Sequence, residues 1–137
     1  MLTQGNRPTR TVDGELRGMA ITVMLGASEN PQRYAHMAVR RLVEHGHEVL
    51  AVGRRAGRIG DVPIRTDLPD RAAVDTVTVY LSPSNQESWR AALIALRTRR
   101  VILNPGAENP SLAQELRSYG VRTEEACTLV LLSTGAY

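Results

Sequence analysis

Short apolar runs alternate along the chain with longer stretches in which apolar side chains return every three or four positions. The first run, residues 20–25, predicts a strand. The stretch after it predicts a helix over 31–45, with Ala35, Ala38, Val39, Leu42 and Val43 on one stripe and Gly46 at its end. Residues 48–52 return as a strand, and a further run at 76–81 is dominated by β-branched side chains. The helix expected next is announced by Ser84 and Glu87, which have capping-box spacing, and by an apolar stripe of Trp89, Ala92, Leu93 and Leu96. Residues 101–103 give a fourth strand, Asn109 and Pro110 open a helix that stops at Gly120, and 121–124 give a fifth strand. The segment GRRAGRIGDVPIRTDLPD predicts a Gly- and Arg-rich loop.

Strands alternating with helices at this spacing imply right-handed βαβ units. The expected fold is α/β: a single Rossmann-like, doubly wound domain over 19–137, with a five-stranded, mostly parallel sheet and helices on both faces. Residues 1–18 are polar and without period, which predicts a flexible extension, with Met19 as an alternative start. In such a fold ligands sit at the carboxyl ends of the strands, here the loops 26–31, 53–60, 82–86 and 104–109.

Composition narrows the chemistry. All 17 basic residues are arginine, so a lysine Schiff base and a Walker-type lysine are both excluded. Any side-chain cation meeting a phosphate is a guanidinium, whose planar fork suits bidentate contacts. One cysteine and three scattered histidines predict no metal site. No window approaches the ~18 consecutive apolar residues of a membrane span, and the first residues lack the apolar centre of a signal peptide, so a soluble, cytoplasmic protein is expected. Scattered arginines with no Phe argue against a nucleic-acid partner.

The first loop offers Gly26, Ala27 and Ser28 ahead of a helix, where free backbone N–H groups favour an anion. GASENP has one glycine where the dinucleotide fingerprint has three, and no acid ends the second strand to hold a ribose hydroxyl. NAD is therefore disfavoured. Val52, Gly53, Arg54 and Arg55 stand there instead, with Arg58 nearby, and basic residues at this point suit an extra phosphate on an adenosine ribose. NADP and coenzyme A both carry one.

The stretches VMLGASENPQRYAHMAVRRLVEHGHEVLAV, NPGAENPSLAQELRSYGV and EACTLVLLSTGAY resemble the small stand-alone CoA-binding proteins. Their fold is similar to the CoA-binding domain of the succinyl-CoA synthetase α subunit. The resemblance covers 19–137 and implies a protein that holds CoA or acyl-CoA along the strand ends. It implies Gly26, Ala27 and Ser28 near the pyrophosphate and Val52 to Arg55 around the adenosine. Leu81, Ser82 and Pro83, with Asn104, Pro105 and Gly106, would line the rest. Two departures accompany it: Met37 stands where family members often carry a basic residue, and Arg54 with Arg55 replaces a Pro-Lys pair. The first implies a lost positive charge and weaker or reoriented phosphate binding.

No catalytic apparatus is evident. The synthetase resemblance ends where the acyl-activating domains would begin. His36 is expected as a polar residue on the helix surface, near enough to the first loop to count among the ligand candidates. Asp67 with Asp70 and Glu124 with Glu125 are pairs only in sequence. Cys127 admits two readings: a buried structural thiol, or a redox partner of the CoA thiol. The expectation is thus a CoA-binding protein, with an NADP-binding, oxidoreductase-like protein or a regulatory domain without ligand as alternatives.

Overall fold

The computed structural model describes residues 21–70 and 74–137. The expected extension 1–18, the start at Met19 and the first position of the first strand lie outside them. Strand β1 (Ile21–Leu25) is buried from Thr22 onward, as a central strand covered on both faces must be. It pairs in parallel with β2 (Glu48–Val52) on one side and β5 (Val74–Val79) on the other. Beyond β5 the sheet continues in parallel through β6 (Arg100–Leu103) and β7 (Arg122–Glu125).

These five strands match the periodicity, yet the sheet has seven, in the order β3-β4-β2-β1-β5-β6-β7. The additional pair, β3 (Gly57–Ile59) and β4 (Val62–Arg65), lies in the segment predicted as a loop. They form an antiparallel hairpin about Gly60 and Asp61, and β4 joins β2 in parallel. A two-residue turn containing glycine is a common hairpin connector. The strands themselves are three and four residues long and interrupted by Gly57 and Pro63, too short to show a period. Ile59 and Ile64 anchor the hairpin in the core.

Helix α1 (Tyr34–Glu44) turns Ala35, Ala38, Val39 and Leu42 inward, while Val43 is exposed. It begins later than the expected Pro31 because Asn30 holds the chain in a turn: its Oδ1 accepts from Gln32 N and its carbonyl from Arg33 N, each at 3.0 Å. The helix expected after β5 is broken into α2 (Pro83–Gln86), a 3-10 turn (Glu87–Trp89) and α3 (Arg90–Ala95). Ser84 and Glu87 form no capping box. Pro83 already occupies the first turn, and Glu87 pairs with Arg90 at 3.0 Å instead. Leu93 and Leu96 are buried as expected, but Ala92 is exposed. Helix α4 (Pro110–Ser118) is capped by Asn109, whose Oδ1 accepts from Leu112 N at 3.2 Å. A last helix, α5 (Thr128–Thr134), falls where no element is predicted.

Leu93 of α3, Leu96 just after it, and Leu112 and Leu116 of α4 cover one face of the sheet over Val23, Val77 and Val101. Leu42 of α1 and Leu132 of α5 cover the other over Met24 and Ala51. Each such leucine contributes about 2 kcal/mol by leaving water. The order reverses between β1 and β5, which opens a crevice at their carboxyl ends.

Candidate functional site

At the end of β1 the chain turns through Gly26 at φ +104, a conformation that side chains with a Cβ rarely adopt. A Cβ there would also stand 3.3 Å from Leu81, which follows β5. The turn is fastened to β2: Gly26 N and Ala27 N both donate to Val52 O, at 2.8 and 2.9 Å. Those two amides are therefore committed, contrary to the expectation that the turn offers them to an anion. The N–H groups of Ser28 and Glu29 have no partner among the described residues. Val52 and Gly53 are buried beneath the turn and support it.

His36 is buried at 6% exposure rather than set on the helix surface. Its Nδ1 lies 3.0 Å from Ser28 O, and because a carbonyl only accepts, the proton is on Nδ1. The ring thus holds the first loop from below, outside the residues that line the cleft.

Between the loops after β1, β2 and β5 lies a cleft of about 450 Å³. Of the residues singled out in the sequence, Gly26, Ala27, Ser28, Arg54, Arg55 and Leu81 line it. Glu29, Asn30, Ala56 and Asn85 join them from the expected loops, though not singled out by residue, and Arg33 and Ile64 join from outside those loops. Arg33 matters most among these. Placing the helix start at Pro31 hides it inside a first turn, whereas it stands just before Tyr34 and faces the cleft. Arg33 thus brings a positive charge to the cleft four positions before Met37, which itself lines a separate groove with Leu129 and Val130. None of Arg33, Arg54 and Arg55 is in an ion pair among the described residues. Arg58 turns aside, Nη2 donating to Asp61 O at 3.2 Å.

Farther along the strand ends, Ser82 and Pro83 are exposed beyond Leu81 and outside the cleft lining. Asn104 is wholly buried and its side chain is spent: Nδ2 donates to Thr78 Oγ1 and Val79 O at 2.7 and 2.8 Å, and Oδ1 accepts from Thr128 N at 2.8 Å. It ties α5 to the sheet. Pro105 and Gly106 are exposed, and Gly106 N donates to Glu108 Oε1 at 2.8 Å. Cys127 is half-buried at the start of α5, beyond β7. Beside it the Tyr80 hydroxyl is buried near Thr128 without a hydrogen-bond partner among the described residues. Burial, then the neighbouring Cys127, pushes the Tyr80 phenol far above its ordinary range. Among the described residues no group of three His, Cys, Asp or Glu converges on a metal position, and no helix is long and apolar enough to cross a membrane.

A strand–glycine turn–helix unit opening on a crevice lined by guanidinium groups is a nucleotide-phosphate geometry. A family model described as a CoA binding domain matches residues 21–133. The chain belongs to the CoA binding domain family. This CoA binding domain is similar to a crystal structure of an uncharacterized protein at 42% identity and a TM-score of 0.83, over 87% of this chain and 98% of that one. A Thermus thermophilus protein, 23% identical with a TM-score of 0.74, shares the fold over 93% of this chain and 100% of its own. So does part of the dinucleotide forming acetyl-coenzyme A synthetase of Ca. Korarchaeum cryptofilum, at 18% identity and a TM-score of 0.64, over 78% of this chain and 25% of that one. A search of the curated proteins found no match.

Proposed function

We propose that the chain binds coenzyme A or an acyl-CoA along the carboxyl ends of its strands. The observation that carries this is the set of three arginines, Arg33, Arg54 and Arg55, that line the crevice without an acidic partner. Membership of the CoA binding domain family selects this ligand among adenosine phosphates. Arg54 and Arg55 follow β2 and take the ribose phosphate. Arg33 and the N–H groups of Ser28 and Glu29 take the pyrophosphate.

The ends of β1, β5 and β6 are neighbours in the sheet, about 4.8 Å apart from strand to strand. An extended pantetheine arm therefore runs from the glycine turn past Leu81, Ser82 and Pro83 toward Pro105 and Gly106. Asn104 shapes that path from beneath through its backbone fixation of α5, with no side-chain atom left for the ligand. No residue is assigned a catalytic role.

The test is a titration of CoA and dephospho-CoA into wild type, Arg54→Ala and Arg55→Ala at one salt concentration. Loss of a partly exposed charge-assisted contact costs about tenfold in affinity. Removing the ribose phosphate is expected to cost as much as removing its arginine, and the two losses are not expected to add, since both delete one contact. Equal wild-type affinity for the two ligands refutes the assignment of these arginines. Tighter binding of NADP than of CoA replaces the reading with the oxidoreductase-like one.

A further inference from the structure

Among the described residues Glu29 is the one carboxylate lining the cleft, set among Arg33, Arg54 and Arg55. Its placement is fixed. Oε2 accepts a hydrogen bond from Arg58 N at 2.9 Å, across from the first loop to the hairpin that follows β2. The carboxylate lies so closely over Gly57 that a Cβ at that position would collide with it. The loop bearing Arg54 and Arg55 is thus bridged to the glycine turn by a group of opposite charge. Oε1 has no partner among the described residues.

A carboxylate accepts hydrogen bonds and donates none, and it repels a polyphosphate. In a cleft for an anionic ligand it lowers affinity unless it meets a donor that the ligand carries. In nucleotide-binding α/β folds an acid at the end of the second strand fills this role by accepting from a ribose hydroxyl. Here β2 is followed by Gly53, Arg54 and Arg55, and Glu29 brings a carboxylate to the same loop from the neighbouring one.

We infer that Glu29 reads the free ribose hydroxyl beside the ribose phosphate that Arg54 and Arg55 take, making it a specificity-determining residue of the cleft. The inference rests on the CoA reading above. A ribose with one phosphate and one adjacent hydroxyl then meets cations on one side and an acceptor on the other, so both substituents are read together.

The probes are adenosine 3′,5′-bisphosphate and its 2′-deoxy analogue, titrated alongside CoA. Wild type is expected to bind the ribose form about tenfold more tightly, the worth of a partly screened charge-assisted hydrogen bond. Glu29→Ala is expected to bring that ratio close to one. Glu29→Gln keeps an acceptor for Arg58 N–H but loses the charge, so the ratio falls to roughly two- to threefold while both bisphosphates bind more tightly. Thermal melts confirm that the variants are folded. If Glu29→Ala weakens both probes equally and the ratio persists, Glu29 is only a brace between loops and the inference is overturned. A wild-type ratio of one, with CoA still bound, overturns it alone. A wild-type protein that binds neither CoA nor either bisphosphate removes the CoA reading and this inference with it.

Discussion

A methyl group at Gly53 would stand 2.5 Å from the carbonyl oxygen of Ala27, a separation that real Cβ atoms do not adopt. Gly53→Ala therefore forces the β1 turn away from β2 and strains the Gly26 and Ala27 bonds to Val52 O. Overpacking of this kind costs about 1–3 kcal/mol. Urea denaturation should show that loss, and CoA titration should show a weakened site. Gly46 is the contrasting control. At φ +85 with nothing within 4 Å, Gly46→Ala should cost roughly 1 kcal/mol of stability and leave CoA binding unchanged. At this scale the sequence displays charge but not commitment. Arg54 and Arg55 are legible as a basic pair, whereas the burial of His36 under Ser28 and the capture of the Gly26 and Ala27 amides depend on loop geometry. Glu29 falls in the loop 26–31 expected to meet a ligand, but its bridging contact is not legible because its partner, Arg58 N, is 29 positions away.

Among the elements, α5 is held to the sheet by polar contacts as much as by Leu132. Thr78 Oγ1, Thr128 Oγ1 and Asn104 form a closed buried network in which each side chain is satisfied. Asn104→Ala leaves Thr128 N–H without its acceptor in the interior, at about 1–3 kcal/mol, while Val79 O keeps the backbone N–H of residue 104 at 3.2 Å. A lower urea midpoint is expected, together with faster amide exchange over α5 than over β1. The five long-range parallel strands are legible because apolar and β-branched runs mark them, and Asn109 marks the start of α4. The β3–β4 hairpin is not, since strands of three and four residues with Gly57 and Pro63 inside them carry no measurable period. The break between α2 and α3 escapes for a different reason. Gln86 turns inward, donating to Leu81 O and Ala107 O at 2.8 Å each and accepting from Asn109 Nδ2 at 2.8 Å, so a polar residue occupies a core position.

For the molecule as a whole, the far end of the sheet is pinned by Tyr137. The buried Arg100 guanidinium lies 4.6 Å from its ring centroid and donates to its carbonyl at 3.1 Å, while the Tyr137 hydroxyl meets Thr22 Oγ1 at 2.8 Å. His47 packs edge-on against the same ring at 4.8 Å. Burial, then His45 and Arg100, lowers the His47 pKa below its ordinary 6.5. Unfolded chains therefore take up the proton first, so this contribution to stability is complete above pH 6.5 and is lost as pH falls below it. His47→Gln should flatten that part of the melting profile. A second decline belongs to Asp75, held below its ordinary 3.8 chiefly by the Arg99 hydrogen bond, and begins as pH falls through that value. At the opposite end of the sheet every cation lining the cleft is a guanidinium, in a chain that has no lysine anywhere. An acyl thioester is an acylating agent, and the side-chain amine of lysine is the usual nucleophile that captures its acyl group. Guanidinium stays protonated in proteins and does not compete for it. An acyl-CoA resting in this cleft would meet positive charge without meeting a side-chain amine, and its acyl group would have no lysine to label.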